Sequence, residues 1–335
     1  MGAPRDTTRK NIWELFITSP VAGPLASLVI IGGLFSLFVP HFATMRSISG
    51  IINAATLTGM VTIGVTLLMI AGEFDLSVGS VVAIAAYAFA FGTLTLHSPV
   101  VAVLLALGIS LLLGVVNGLI YIWSGIPSFI ITLGTLYIYR GLVWLISGGQ
   151  LIQTTQRLKV YEIFNGRLDT VNALIPGANF RTSLLWLVGM TVLFQYILTR
   201  TAFGNHVFAV GGNLRGAMAL GVRVKRVKVL SFMISSLLAG LTGILLFSQY
   251  RSVRVATGAG MELNAIAAAV VGGTLLTGGA GSIWGALIGA LLISMLRTGV
   301  ILMNIPFIPA DNFEAVVGVT IVAAVILNNW LRNRA

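Results

Sequence analysis

Residues 50–96 read GIINAATLTGMVTIGVTLLMIAGEFDLSVGSVVAIAAYAFAFGTLTL, in which two uncharged apolar runs flank a short polar turn. Each run has about the 20 residues that an α-helix needs to cross a bilayer. Comparable apolar runs recur near 21–40, 99–123, 126–147, 183–199, 229–250, 264–276, 283–303 and 314–330. The pattern predicts an all-α, polytopic membrane protein with about ten transmembrane helices. The run at 264–276 is short for a full crossing, so a tilted or broken helix is expected there.

The composition excludes a soluble globular enzyme. Of the 335 residues, 57% are hydrophobic and 9% are charged, whereas a soluble domain carries roughly 25% charged residues. The chain has no cysteine, so it offers neither a disulfide nor a thiolate metal site. Because no Pro- or Ser-rich linker divides it, residues 1–335 are expected to form a single transmembrane domain.

The distribution of basic residues predicts the orientation. The chain carries 20 Lys and Arg residues and a net charge of +11. With the N-terminus in the cytoplasm, the loop 200–228 lies inside and holds six of them without any acid, as the positive-inside rule requires. This topology makes 1–20 a cytoplasmic N-terminal segment and 148–182 a periplasmic loop, and both termini are then cytoplasmic. The charge reflects topology and contact with membrane lipid, and no nucleic-acid partner is expected.

Motifs for ATP hydrolysis and catalysis are missing from the sequence. No lysine follows a glycine, so the phosphate loop G-x-x-x-x-G-K-[ST] is absent. His41, His97 and His206 are scattered and form no H-E-x-x-H motif. The sequence predicts a transport subunit that is not an enzyme and holds no cofactor. Any ATP-driven work requires a separate ATPase, which would bind the ATP and Mg²⁺.

The polar turn Gly72–Ser80, GEFDLSVGS, is the first candidate site. Asp75 or Ser77 can cap the following helix by accepting a backbone N–H bond, which makes a well-capped cytoplasmic turn one interpretation. The other is a gate or a contact with an ATPase, because ionisable groups at a membrane boundary tend to be functional. The candidate residues are Glu73, Phe74, Asp75, Ser77 and Gly79.

The inner loop 200–228 contains the second candidate site. Asn213 suits an N-cap and Gly221 a C′ position, and they bracket a short stretch of small and apolar residues. A helix this short is unstable alone, so we expect it to dock into a groove of a partner protein. The basic residues that follow can bind lipid headgroups. The docking residues are Gly211, Gly212, Asn213, Leu214, Arg215, Ala217, Leu220 and Gly221.

Two helical stripes complete the candidates. The second run carries a polar stripe of Asn53, Thr56, Thr58, Thr62 and Thr66. Threonines in such a stripe either bond back to carbonyls of their own helix or form a polar line along a translocation pathway. The ninth run carries a glycine stripe of Gly281, Gly285 and Gly289. Glycines at every fourth residue form a smooth face, which is expected to pack within the chain rather than against a second copy.

An internal repeat relates the two halves of the chain. The turn at Gly72–Ser77 is echoed by GMELN at 260–264, and each is followed by Ala-Ile-Ala-Ala. Ile126-Pro127 is echoed by Ile305-Pro306. Because the predicted topology puts the two members of each pair on opposite sides of the membrane, the pattern predicts inverted-topology repeats, which are typical of transporters.

These stretches resemble a known family, the permease subunits of sugar-type bacterial ABC importers such as ribose, xylose and galactose permeases. Gly72–Ser80 is similar to the family's G-x-D-L-S-V-G-S signature, although Glu73-Phe74 replaces a single residue of it. Ala209–Gly243 resembles the A-x-G-G-N…G-[IV]-x-V…K…A-G-L-x-G segment. Leu263–Gly289 resembles the L-x-A-I-A-A-x-V-x-G-G-T…G-G-x-G-x-x-x-G-x-x-x-G segment. The chain therefore looks like a multi-pass permease of the bacterial inner membrane.

The resemblance implies a set of partners. Permeases of this family work as two copies or as two paralogues, with cytoplasmic ABC ATPases and a periplasmic solute-binding protein. The resemblance also implies that Asn213–Leu220 is the coupling helix that seats in a groove of the ATPase. At the outer face we expect the binding protein to contact Arg251, Arg254 and Glu262.

The predicted function is ATP-driven import of a monosaccharide or a related neutral polyhydroxy solute. A nucleoside-importing ABC permease is an alternative within the same class. An ion-coupled secondary transporter is a second alternative, and it would need several buried acids. A membrane scaffold or lipid-modifying enzyme is disfavoured because no catalytic pairing is present.

Overall fold

The computed structural model describes residues 21–303 and four isolated positions beyond them, at 315, 318, 319 and 322. In this part the chain forms the helices α1 (Ala22–Phe38), α2 (Met45–Ile70), α3 (Val78–Leu94), α4 (Pro99–Ser124), α5 (Ser128–Ser147), α6 (Lys159–Asn165), α7 (Asp169–Leu174), α8 (Ser183–Arg200), α9 (Ala202–Gly212), α10 (Leu214–Ala219), α11 (Val224–Tyr250), α12 (Met261–Val271) and α13 (Ile283–Met303). Two short strands, β1 (Ile152–Gln153) and β2 (Ser252–Val253), pair in the antiparallel direction.

Six helices of the described part are long and apolar enough to cross a membrane, namely α2, α4, α5, α8, α11 and α13. The apolar helices α1, α3 and α12 are shorter, with 17, 17 and 11 residues. The protein is therefore an all-α polytopic membrane protein, as predicted. Nine of the predicted runs correspond to one of these helices, and the remaining run, 314–330, lies almost wholly outside the described residues.

The helices α2 and α11 form the centre of the bundle. Of the 18 most apolar consecutive residues in each helix, 83% are buried in α2 and 67% in α11. The corresponding share is 22% in α4 and 28% in each of α5 and α8. The exposed side chains of the outer helices are large and apolar, including Trp123, Tyr137 and Leu145. In a bilayer such faces contact lipid, since acyl chains are as apolar as leucine.

Small residues let the central helices approach closely. A Cβ placed on Gly114 of α4 would lie 2.8 Å from the Cα of Met233 in α11, and one on Gly240 of α11 would collide with Ser110 of α4. A Cβ on Gly243 of α11 would lie 2.5 Å from a backbone oxygen of α3. Glycine at these positions brings backbones into contact, which is how membrane helices associate tightly without a hydrophobic driving force.

The glycine stripe of the ninth run packs within the chain, as predicted for two of its members. Gly285 of α13 meets the backbone of Gly272, and Gly289 meets the backbone of Ala268 in α12. Gly281 was assigned to the same helical face, and this is wrong because α13 begins at Ile283. Gly281 has φ +156° and faces the Thr274 side chain instead.

The short helices α3 and α12 both begin inside the bundle. Gly243, in the second half of α11, contacts α3 at Val82 and Ala86, which lie in its second and third turns. Gly79, in the first turn of α3, contacts Glu262 in the first turn of α12. The two N-termini therefore lie side by side partway along α11. The run near 264–276 is too short for a full crossing because α12 starts partway through the bundle.

Candidate functional site

The segment 71–77, which links α2 to α3, is buried in the bundle and does not lie on the surface as a cytoplasmic turn. We call it the break. Its backbone turns at Gly72, where φ is +84°. Two side chains of α5 bind its backbone: Ser128 Oγ accepts the N–H of Phe74 at 3.1 Å, and the Thr132 hydroxyl donates to the Phe74 carbonyl at 3.4 Å. Irregular backbone at membrane depth needs partners of this kind.

Glu73 of the break forms a buried ion pair with Lys228 of α11. The hydroxyl of Tyr121 in α4 donates to the same carboxylate oxygen at 2.7 Å, and it accepts from Lys228 Nζ at 2.8 Å. The sequence assigned Lys228 to the basic inner loop, whereas it lies in the first turns of α11. The three side chains tie the break to both α4 and α11.

Asp75 belongs to a second buried network. Its Oδ1 accepts the N–H of Ser77 at 2.9 Å and the Ser77 hydroxyl at 2.6 Å. The Ser77 hydroxyl accepts from Asn117 Nδ2 at 2.8 Å, and the Tyr139 hydroxyl donates to Asn117 Oδ1 at 2.9 Å. Asp75 is fully buried.

The predicted helix cap differs from the observed one. Ser77 occupies the N-cap position of α3, but its side chain accepts no N–H of the helix. The reason is that its hydroxyl is already bonded to Asp75 and Asn117. Asp75 does accept a backbone N–H, as expected of a capping acid, but the donor is Ser77 itself and lies before the helix.

The start of α12 approaches the start of α3 through glycine. A Cβ on Gly79 would collide with the Glu262 carboxylate and lie 2.5 Å from the backbone oxygen of Gly258, and because that backbone cannot simply move aside, this contact requires glycine. Glu262 Oε1 accepts the N–H of Gly260 at 3.2 Å. Arg140 of α5 donates to two carbonyls of the chain leading into α12, including that of Thr257 at 2.7 Å. Arg140 therefore anchors this non-helical stretch to the bundle.

The predicted short helix in the inner loop is present with both caps. Asn213 Oδ1 accepts the N–H of Gly216 at 2.9 Å, and Gly221 closes the helix with φ +80°. Ala217 faces inward and is buried. Beside Ala217 on this helix, α10, the apolar side chains of Leu214 and Met218 are exposed by 42% and 52%, and that of Leu220, which directly follows the helix, is exposed by 85%. Arg215 is exposed beside them.

A cluster of glycines, which we call the glycine junction, joins the base of α10 to the break. It consists of Gly72, Gly211, Gly212, Gly278 and Gly279. A Cβ on Gly211 would collide with the carbonyl oxygen of Ile70 at the end of α2. The N–H of Gly279 donates to the same carbonyl at 2.9 Å, and a Cβ on Gly278 would lie 2.8 Å from the Cα of Gly72. Three chain segments are thus in direct backbone contact.

Comparison with known proteins identifies the family. A model of the family described as branched-chain amino acid transport system / permease component matches residues 47–325. The chain belongs to this permease family. It is 37% identical over 315 residues to the probable ABC transporter permease protein YphD of Escherichia coli, covering 93% of this chain and 90% of that protein.

Two further relatives share one name with each other, which differs from that of the Escherichia coli protein. The chain is 30% identical over 310 residues to the autoinducer 2 import system permease protein LsrC of Photorhabdus luminescens, covering 92% of this chain and 89% of that protein. The LsrC protein of Yersinia pestis is also 30% identical over 310 residues, with 92% and 84% covered. No solved structure matches the chain. The resemblance to sugar-type ABC permeases is confirmed, and the protein is a multi-pass inner-membrane permease of an ABC importer.

The polar stripe of the permease lies on the central helix α2. Thr56 and Thr62 donate to carbonyls of their own helix at 2.8 and 2.7 Å, as the first of the two interpretations expected. Asn53 donates to the backbone carbonyl of Asn179, in the loop 148–182, at 2.7 Å. Thr66 is fully buried and Thr58 is half-buried. The hydroxyls of Thr56 and Thr62 are thus satisfied, whereas the buried Thr66 hydroxyl has no hydrogen-bond partner. A pathway along the stripe stays a prediction.

The two cations that were predicted to lie together at the outer face, Arg251 and Arg254, have different surroundings. Arg251 ends α11 in the left-handed conformation, φ +54°, and its guanidinium lies 4.0 Å from the ring centre of Tyr161 in α6. Arg254 is exposed. Glu262, the third predicted contact, lies beside Gly79 of α3. Arg254 is therefore the member of the group that is best placed to meet another protein.

Proposed function

We propose that this permease moves a monosaccharide or a related neutral polyhydroxy solute from a periplasmic binding protein into the cytoplasm, and that a separate ATPase binds the ATP and Mg²⁺ that drive it. Two named relatives are autoinducer 2 import permeases, which supports a small polar solute. Within the described residues, the deeply buried charges of Glu73 and Lys228 neutralise each other. A neutral solute suits such an interior, because an uncompensated charge at membrane depth is costly.

The architecture we propose has ten transmembrane helices in two inverted repeats, one domain over 1–335, and both termini in the cytoplasm. Its support is the contact between the first turns of α3 and α12 at Gly79 and Glu262. These two turns are the repeated elements of the sequence. Two interior helix starts that face each other are what an inverted repeat produces around a central site. A second permease, identical or paralogous, would complete the assembly.

The observation that carries the coupling proposal is the surface of α10. Leu214 and Met218 in this six-residue helix, and Leu220 directly after it, have exposed apolar side chains. A helix this short is stable only when other parts of a protein contact it. Within this chain, the glycine junction contacts only the base of α10. We propose that α10 seats in a groove of the ATPase and that the glycine junction carries the movement of α10 to the ends of α2 and the break.

Charging the surface of α10 tests this proposal. Leu214→Glu should reduce co-purification of the ATPase with the permease by at least about tenfold, because burying an unpaired carboxylate in an apolar groove costs several kcal/mol. Leu174→Glu is the control, since Leu174 is an exposed leucine, by 79% against 42% for Leu214, in α7 on the predicted periplasmic side. Equal ATPase recovery with both variants would remove α10 from the interface.

At the opposite face we propose that the binding protein docks on the loop 148–182 and on Arg254. This loop is folded: it contributes α6, α7 and the strand β1, which pairs with β2. An exposed cation at such a rim steers association and makes it salt-dependent. Arg251 and Glu262 would act indirectly, Arg251 by holding α6 through Tyr161 and Glu262 by holding the first turn of α12 against α3.

A further inference from the structure

The helix α10 belongs to a loop whose two ends meet the break at adjacent residues. Before the helix, Gly211 lies against Gly72, since a Cβ on Gly72 would be 3.7 Å from the Cα of Gly211. After the helix, Lys228 forms its ion pair with Glu73, the next residue of the break. We call residues 211–228 the docking loop. This loop is attached to the break at both ends.

The connection between α10 and Lys228 is short and structured. Residues 220–223 join α10 to α11, and the chain turns at Gly221 with φ +80°. The N–H of Val222 donates back to the carbonyl of Ala217 in α10 at 3.0 Å. Val222 and Val224 pack against the buried core. A displacement of α10 is therefore carried to the start of α11, where Lys228 lies in the second turn.

The ion pair at the end of the docking loop is sealed from solvent. Glu73 and Lys228 are each only 6% exposed. Tyr121 bonds to both of them through its hydroxyl, and the ammonium group lies 4.9 Å from the centre of its ring. Separating two opposite charges inside the bundle is costly, because each charge is left buried without compensation. The pair therefore stays together when α11 moves.

Stability alone does not account for charges at this position. A buried ion pair often stabilises a protein no more than apolar side chains of similar volume. Apolar side chains would also pack the break against α11, but they would let the two segments slide past each other. Charge-assisted hydrogen bonds are strong and directional, so this pair fixes the position of Glu73 relative to Lys228.

We propose that Lys228 is a positioning residue for transport: through its ion pair with Glu73, it makes the break follow the docking loop when the ATPase moves α10. The contact between Gly211 and Gly72 is one connection of the loop to the break, and the ion pair is the other. Lys228 acts on the solute only through the break. The source of the movement rests on the proposed function of α10, whereas the attachment at both ends is a feature of the fold.

The ratio of solute imported to ATP hydrolysed tests this role. The permease is reconstituted with its co-encoded ATPase and its binding protein. In Glu73→Gln/Lys228→Met, the ATPase should co-purify as with the wild type and the melting temperature should stay close to it. The ratio should fall by about tenfold or more, which lies within the usual range of coupling between sites. The exposed Lys225→Met should keep the wild-type ratio. A wild-type ratio in the double variant would overturn the proposal.

Thiol reactivity gives a second readout that needs no charge variant. The chain has no cysteine, so Phe74→Cys places a single thiol at a half-buried position of the break. Its rate of reaction with a water-soluble thiol reagent should change by about fivefold or more when ATP is added to the assembled complex. In the background of Glu73→Gln/Lys228→Met, the rate should not respond to ATP.

A thiol on α10 separates this proposal from the docking proposal. Leu220→Cys, at an exposed position directly after the helix, should be protected from the same reagent when the ATPase binds. Protection of Leu220→Cys together with an unchanged rate at Phe74→Cys would overturn the role of Lys228 and leave the docking of α10 standing.

Discussion

Gly211→Ala is expected to reduce ATP-driven uptake by about tenfold or more while the permease still inserts into the membrane. The added Cβ would occupy the position of the Ile70 carbonyl oxygen, which already accepts the N–H of Gly279. Neither partner is a flexible side chain, so α9, α2 or the loop of Gly279 must shift. Overpacking typically costs about 1–3 kcal/mol, and 1.4 kcal/mol corresponds to a factor of ten.

The adjacent glycine provides the matched control. A Cβ on Gly212 would lie 3.8 Å from the Cα of Gly279, which is an ordinary van der Waals contact. Gly212→Ala should therefore retain uptake close to that of the wild type. The measurement is solute uptake by cells or vesicles, normalised to the amount of permease in the membrane. If both variants transport equally well, the glycine junction does not carry movement from α10 to α2.

Lys228→Met is expected to lower the free energy of unfolding by about 3–5 kcal/mol, because it leaves the Glu73 carboxylate buried and unpaired. Glu73→Gln alone should also destabilise the protein, since it leaves a buried ammonium group. The double variant Glu73→Gln/Lys228→Met should recover most of the loss. Replacing both charges of a buried pair is often neutral, whereas removing one is not.

The control for this prediction is Lys225→Met, one turn earlier in α11. Lys225 is exposed, so its replacement should change the free energy of unfolding by no more than about 0.5 kcal/mol. Thermal or denaturant unfolding in detergent compares these four variants with the wild type. Additive losses in the double variant would show that the two side chains stabilise the fold independently.

Features set by neighbouring residues could be predicted from the sequence. The boundaries of α10 follow from Asn213 and Gly221, and both caps act within a few residues of themselves. The apolar runs likewise located the membrane helices, because hydropathy is a property of a continuous stretch. The intrachain packing of Gly285 and Gly289 followed from their spacing on one helix face.

Features that join distant parts of the chain could not be predicted. Glu73 and Lys228 are separated by 155 residues, and nothing local indicates that they meet. The available signal in the sequence was that Lys228 is followed directly by an apolar run, which indicates a lysine at the end of a membrane helix but not its partner. The break was assigned to the surface because hydropathy treats each apolar run as a full crossing, although α3 begins inside the bundle. Glycines 72, 211 and 279 were visible, but their mutual contact was not.

Reconstitution into liposomes separates ATP-driven import from the ion-coupled alternative. The permease, its co-encoded ATPase and its binding protein are combined with a labelled monosaccharide, and uptake is measured with and without each component. We expect uptake to require the ATPase, ATP on its side of the membrane and the loaded binding protein, and to persist when ionophores collapse ion gradients. Uptake by the permease alone that is driven by an ion gradient and abolished by ionophores would contradict the assignment of this chain to an ATP-driven importer.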